Sequence, residues 1–281
     1  NGEPTPDNTR YIARQVFAED KKDLKPWYGI EQEMVLVDVK TQWPVGWPAN
    51  GFPAPQGPYY CGNGAKAAFG RKYHDQFYEL ALSMGLTISG TNAEVLPAQW
   101  EFQVGPCEGI DMGDQLTMAR WLYVRILEDE GIDVDFRAKP FPQGDWNGSG
   151  LHTNFSTTET RAEGGLTKIY EYIDRLSKTV VQDIPFYGSE NNSRLTGAHE
   201  TSRIDQFGFG VGTRGTSIRI PNQVNNEKKG YFEDRRPAAD ADPYLVSARL
   251  FASAVGLEAR ALTAIEDKYR QSWMPRAPSR L

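Results

Sequence analysis

The stretch 27–39, WYGIEQEMVLVDV, reads as a β-strand that becomes fully apolar near Val35 to Val37, yet it carries Glu31 and Glu33 two residues apart. A strand's period of two puts both carboxylates on one face, about 6.6 Å apart along the chain. Any sheet built on this strand therefore needs one face for a core and one for water or a ligand. A solvated face is the plain structural explanation of Glu-x-Glu, because glutamate is mostly exposed.

Three more segments argue for a ligand. In TNAEVLPAQWEFQVG, a two-residue turn at Pro97-Ala98 would set Glu94 opposite Glu101. Like charges facing across a ladder are destabilising, and a bound cation reverses that penalty. Proline at the first turn position is not the favoured hairpin residue, so this register is an expectation. In GSGLHTNFS, His152 and Asn154 share a face, and the chain has only three histidines. A lone histidine is more often structural than functional. In KKGYFEDRRP, Tyr231, Glu233 and Arg235 alternate on one face, a pattern that suits a wet functional surface better than a buried strand. The candidate ligands are thus five glutamates and one histidine. Oxygen-rich donors suit Mg²⁺ or Mn²⁺ rather than structural zinc. Mg²⁺ at carboxylates usually also meets phosphates, and phosphoryl chemistry needs positive charge. Arg194, Arg214, Arg219, Arg235 and Arg236 lie in the same C-terminal half, although each alone would read as a surface residue. No Gly-x-x-x-x-Gly-Lys-Ser/Thr loop is present, and the run GFGVGTRG lacks the following helix of a phosphate cradle.

The rest of the chain reads as globular. Among 281 residues, 39% are hydrophobic and 24% charged, with a net charge of −6. The acidic balance argues against a nucleic-acid partner. No apolar run approaches the ~20 residues of a membrane helix, so no membrane partner is expected. Two cysteines, Cys61 and Cys107, make no disulfide scaffold and favour a reducing compartment. Asn1 opens no signal-peptide pattern. Residues 43–64 hold five of the 18 prolines and two Asn-Gly pairs, which predicts a long structured loop. Loops of this length are uncommon unless functional.

Helices are predicted around 8–18, 65–84 (Tyr73, Phe77, Leu80, Ala81 and Met84 on one face), 112–130 and 166–182 (through Ile169, Tyr170, Ile173, Leu176 and Val180), and after Asp242-Pro243. Paired strands are expected over 86–105, and short ones near 150–156, 216–220 and 230–235. No repeat, linker or low-complexity tract interrupts them. This irregular alternation of strands and helices points to the α+β class.

These stretches, together with GWPANGFPAPQGPYYCG, SGTNAEVLPAQWEFQVGPCEGI, KPFPQGDWNGSGLHTNFST, NNSRLTGAHET, TRGTSIRIP and KKGYFEDRRPAADADPY, resemble glutamine synthetases of the eukaryotic type, from about Asn1 to Pro243. The resemblance implies one catalytic domain over 1–281, an α+β fold with a curved antiparallel sheet flanked by helices, and ATP-dependent ligation of ammonia to L-glutamate through γ-glutamyl phosphate. It implies two or three Mg²⁺ or Mn²⁺ ions per site, with ATP as co-substrate. Glu33, Glu94 and Glu101 match the metal site that serves glutamate and ammonia. Glu31, His152 and Glu233 match the one that holds nucleotide phosphates.

By the same resemblance, Trp146, Asn147 and Gly148 match the loop beside the glutamate amino group, and Arg194 and Arg235 its carboxylate partners. Arg214 matches the arginine on the transferring phosphoryl group, with contacts to glutamate and ATP. Arg219 supports nucleotide phosphates, and Asn154, Ser156 and Tyr231 match the adenosine pocket. Glu200 matches the flap glutamate that deprotonates ammonium. The family implies a homo-oligomer, a decamer of two stacked pentameric rings, in the cytoplasm or a plastid. It also has a β-rich N-terminal domain, absent here, that lends an acidic residue to the next subunit. The chain departs from the pattern at Gln143 (an apparent insertion), Leu151, Thr213 and the tail beyond Tyr244. Two other readings are a non-catalytic relative kept as a structural or regulatory oligomer, and a γ-glutamyl ligase for another amine.

Overall fold

The computed structural model describes residues 2–49 and 51–273. Asn1, Asn50 of the long loop, and the last eight positions of the expected domain lie outside the described residues. In chain order the elements are α1 (Thr9–Ala18), β1 (Trp27–Asp38), β2 (Trp43–Pro44), α2 (Arg71–Ser83), β3 (Ile88–Ala93), β4 (Gln99–Glu108), α3 (Ile110–Leu127), β5 (Ile132–Asp135), β6 (Leu151–Ser156), α4 (Thr158–Arg161), α5 (Leu166–Lys178), α6 (Val180–Asp183), β7 (Phe209–Val211), β8 (Ile218–Ile220), α7 (Asn222–Glu227), β9 (Phe232–Asp234), α8 (Pro243–Val255) and α9 (Arg260–Trp273).

Among the described residues the strands form one open sheet in the order β3-β4-β1-β6-β9-β8-β7, with β2 and β5 pairing the far end of β1. Every ladder is antiparallel except β7–β8, which is parallel. The architecture is the expected α+β sheet flanked by helices, with this one parallel edge pair added. Bulges between Tyr28 and Ile30, and between Ile88 and Gly90, interrupt the ladders, and such insertions bend a sheet.

Alternation explains the two faces. Tyr28, Ile30 and Met34 of β1, Trp100, Phe102 and Val104 of β4, Leu151 and Phe155 of β6, and Phe232 of β9 are buried in one apolar core. Helices α1, α3, α5 and α8 complete that layer, with α8 touching the other three. The Tyr28 hydroxyl donates to the Ser247 carbonyl, 2.8 Å away, and ties the sheet to α8. The intervening positions, Glu31, Glu33, Glu101, His152, Asn154 and Glu233, fall on the opposite face.

Helix ends follow the predicted chemistry. Asn8 caps α1, and Asp242 accepts from the amides of Tyr244 and Leu245 with Pro243 in the first turn. Gly131, in the left-handed region, closes the helical stretch that α3 begins. Two predicted faces shift. Helix α2 begins at Arg71 and buries His74, Phe77 and Ala81, while Leu80 and Met84 face outward. Helix α5 buries Tyr172 rather than Tyr170. In both cases the i, i+3/i+4 spacing is satisfied by a neighbouring row of side chains. The loop 43–64 contains only the two-residue β2 among its described residues. Both cysteines are free, Cys61 exposed and Cys107 buried. No described helix is long and apolar enough to cross a membrane.

Candidate active site

Strand β1 is the spine of the site. Glu31 is the Cα partner of His152 on β6, and Glu33 is the partner of Glu101 on β4. Glu233 on β9 pairs with Asn154 of β6 and Arg219 of β8. The structure therefore gathers all six candidate ligands on one face, in two triads: Glu31, His152 and Glu233, and Glu33, Glu94 and Glu101. Within each triad the ligand atoms lie within 4.8 Å of one another. His152 Nδ1 is 3.2 Å from Glu31 and 3.5 Å from Glu233.

One expectation is corrected. In the β3–β4 hairpin Glu101 stands opposite Asn92, and the Glu94 amide donates to the Gln99 carbonyl at 2.9 Å. Five residues, Glu94 to Ala98, connect the two strands, with Ala98 in the left-handed region (φ 69°), so Pro97-Ala98 is not a two-residue turn. The register differs from the predicted one by two residues, which preserves facing, so Glu94 still reaches the cluster. The like-charge pair across a ladder is Glu33 with Glu101.

Burial and crowding leave this cluster short of positive charge. Burial first, then the Glu94 charge, pushes the Glu33 carboxyl up to about 8, with Arg194 and the Gly150 amide opposing. Burial raises Glu101 well above the ordinary range, with Glu31, Glu94 and Glu33 adding to it, and raises Glu94 too. Burial and the surrounding arginines hold His152 neutral, the form that ligates metals. Carboxylate oxygens with one imidazole fit a hard divalent cation, whose charge would relieve the repulsion.

The triads border a cavity of about 290 Å³ lined by five carboxylates and by Arg194, Arg214, Arg219 and Arg235. Arg194 is buried, donating to the carbonyls of Arg235 and Arg236 and to His152 Nε2 at 3.1 Å. It passes so close to the Gly148–Gly150 turn that a Cβ on Gly150 would sit 2.5 Å from its Nη2, and one on Gly148 2.9 Å from its Cγ. The glycines of WNGSG leave room for this arginine and, at Gly148, for the Ala138 carbonyl, which a Cβ would meet at 2.5 Å. Arg235 Nη1 donates to Glu233 at 2.5 Å, and Arg219 Nε lies 3.1 Å from the same carboxylate. Arg214, half-exposed, reaches Glu200 at 3.4 Å and lies over the Tyr60 ring. The cavity brings Asn147, Gly148 and Glu200 to its wall.

Trp146 is elsewhere. It is buried in a separate cluster with Val35, Trp47 and Leu96, its ring centroid 4.9 Å from that of Trp47. It anchors the loop from behind, because an indole next to Asn147 is better accommodated among aromatics than beside charged groups. Asn154, Ser156 and Tyr231 line a second, more apolar cavity of about 350 Å³ with Trp27 and Arg161. Asn154 Nδ2 donates to Glu31 at 3.0 Å and thereby joins the two cavities. Arg161 donates to Ser156 Oγ and covers the Trp27 ring. Of the departures, Leu151 fills the core and Gln143 and Thr213 are exposed, so none of them displaces a ligand. Residue-by-residue reading passed over Tyr60, Gln103, Arg161 and His199. Tyr60 lies in the proline-rich loop and His199 beside Glu200, the two neighbourhoods already marked as functional.

Comparison with known proteins agrees with this geometry. A family model described as glutamine synthetase, catalytic domain, matches residues 6–270, which extends the likeness past Tyr244. The chain is 51% identical to a glutamine synthetase of Neurospora crassa over 256 residues, covering 91% of this chain and 70% of that protein. It is 52% identical to a glutamine synthetase of Bos taurus, covering 89% and 67%. A cryo-EM structure of Plasmodium falciparum glutamine synthetase superposes with a TM-score of 0.75 at 15% identity, covering 94% of this chain and 57% of that one, which speaks to the fold. With a family model spanning most of its length and relatives near half identity, this chain belongs to the glutamine synthetase family.

Proposed function

We propose that the chain carries out the glutamate–ammonia ligase reaction, making L-glutamine from L-glutamate, ammonium and ATP. The observation that carries this reading is one cavity wall combining five of the six residues of two carboxylate-rich triads, with Glu233 buried behind it, and four arginines. Glu33, Glu94 and Glu101 would hold one divalent cation, Mg²⁺ or Mn²⁺, and Glu31, His152 and Glu233 a second. Such cations offset the charge of a nucleotide triphosphate and a carboxylate brought together.

The chain's own residues supply the rest. Arg194 and Arg235 hold the glutamate carboxylates, and Asn147 and Gly148 border them. The γ-carboxylate oxygen attacks the terminal phosphorus of ATP and ADP departs, with Arg214 on the transferring group and Arg219 on the remaining phosphates. A poor electrophile thereby gains a good leaving group. Glu200 takes a proton from ammonium, the ammonia nitrogen attacks the acyl carbon, and phosphate leaves. Exclusion of water by the Glu200 loop protects the acyl phosphate from hydrolysis. The apolar slot at Trp27 and Tyr231 suits an adenine ring, with Asn154 and Ser156 beside it. A homo-oligomer of two stacked pentameric rings belongs to the same reading. So does a cytoplasmic or plastid location, supported by a 51% identical relative from Glycine max named as a cytosolic isozyme.

Phosphate release from ATP with glutamate and magnesium, with and without ammonium, tests the reading when glutamine is quantified alongside. Ammonium-dependent release matched by glutamine supports it. Magnesium- and ATP-loaded protein that makes no glutamine overturns it. Substituting putrescine for ammonium separates the ammonia ligase from a ligase for another amine.

A further inference from the structure

The long loop 43–64 has no part in the chemistry assigned above, yet its middle reaches into the site. Gln56 uses its whole side-chain amide. Its Oε1 accepts the Asn147 amide at 2.7 Å, and its Nε2 donates to Asn147 Oδ1 at 2.7 Å and to His199 Nδ1 at 3.4 Å. Since an amide nitrogen only donates, His199 Nδ1 is the acceptor and its Nε2 faces Asp145 Oδ1, 3.0 Å away. Three segments distant in sequence are closed into one ring of polar contacts: the proline-rich loop, the Asp145–Asn147 turn and the His199–Glu200 loop.

The last of these needs holding. His199 and Glu200 are consecutive non-glycine residues with φ of 53° and 59°. Such backbone persists only where its surroundings over-determine it. Arg214 restrains Glu200 from one side, and Gln56 restrains His199 from the other. We propose that Gln56 is a positioning residue that couples the glutamate-binding turn at Asn147 to the loop carrying Glu200, so that the two sides of the cavity are set together. This rests on the ligase reading. Gln56 touches no reacting atom; it acts through Asn147 and His199.

The test compares the intact protein with Gln56→Met, which keeps the length of the side chain and removes its polar contacts, and with His199→Ala, which cuts one arm only. Amide hydrogen exchange is read over 145–150 and 196–203, without substrates. Gln56→Met should speed exchange about tenfold in both segments, and His199→Ala in the second. In turnover, Gln56→Met should raise the KM for glutamate about tenfold and leave that for ATP within about twofold. It should also release more than one phosphate per glutamine, as an unlatched loop admits water. Unchanged exchange in both segments overturns the proposal, as does a fall in kcat alone with one phosphate per glutamine. Wild-type protein that makes no glutamine would overturn the ligase reading instead, while the exchange result would still decide whether Gln56 couples the loops.

Discussion

Glu33 of β1 and Glu101 of β4 are direct partners across an antiparallel ladder, each only 7% exposed. Two buried carboxylates at that spacing cannot both ionise cheaply without a cation. Gln99 Nε2 and the Gly150 amide each donate to Glu33 Oε2, which fixes that oxygen without supplying a full positive charge.

The pH dependence of stability follows. Glu33 in the folded chain titrates at about 8 against an ordinary 4.5. Between those values the folded state holds a proton that the unfolded state has released. Stability of the cation-free protein therefore falls as pH rises through this window, the reverse of the usual salt-bridged carboxylate. Calorimetry in chelator at about pH 6 and about pH 8 should show the lower Tm at the higher pH, with about 1 kcal/mol worth roughly 2 °C in a chain this size. Excess Mg²⁺ or Mn²⁺ should raise Tm most at the higher pH. A Tm that is flat, or that rises with pH in chelator, would refute this.

Glu233 is 1% exposed and paired with Arg235 and Arg219. Alanine there would leave buried guanidinium charge uncompensated, at a cost of about 3–5 kcal/mol. Glu233→Gln is the cleaner variant, since it keeps volume and one acceptor. It should lower kcat by about 10²–10³-fold or more with near-native circular dichroism. Wild-type turnover in this variant would remove Glu233 from the metal triad.

Tyr231 is 41% exposed at the mouth of the apolar slot. Tyr231→Ala should raise the KM for ATP about tenfold through lost stacking and leave the KM for glutamate unchanged. Equal effects on both substrates would argue against this slot as the nucleotide site.

Gly113 of α3 lies against the Tyr244 ring, so that a Cβ there would come within 2.1 Å of it. Tyr244 cannot simply swing away, because its hydroxyl donates to Asp114, itself paired with Arg10. Gly113→Ala should destabilise the chain by about 1–3 kcal/mol despite alanine's better helix propensity. A chemical denaturation midpoint equal to wild type would show that the α3–α8 contact relaxes freely.

Much of this was legible in the sequence because it rests on short-range rules. Period two in β1, β6 and β9 placed Glu31 with Glu33, His152 with Asn154, and Glu233 with Arg235 on common faces. Asp242-Pro243 and Asn8 marked helix starts, and Gly131 a stop. The motifs pointed to the family and to all six candidate ligands. The backbone lattice carries this information locally, and a two-residue error in the β3–β4 register left Glu94 on the right face for the same reason.

The tertiary structure decided what no local rule encodes. It set Glu101 between Asn92 of β3 and Glu33 of β1, because β4 lies between those two strands and its register with β3 is two residues away from the one a two-residue turn would give. It turned Trp146 into a cluster with Val35, Trp47 and Leu96, residues that no local pattern places beside it. It brought Gln56, Asn147 and His199 together across separations of 91 and 143 residues. Side-chain period and capping are properties of a few consecutive residues and can be read from them. Which strand lies beside which, and which loop ends meet above the sheet, is settled only when the whole core packs and every buried polar group must find a partner.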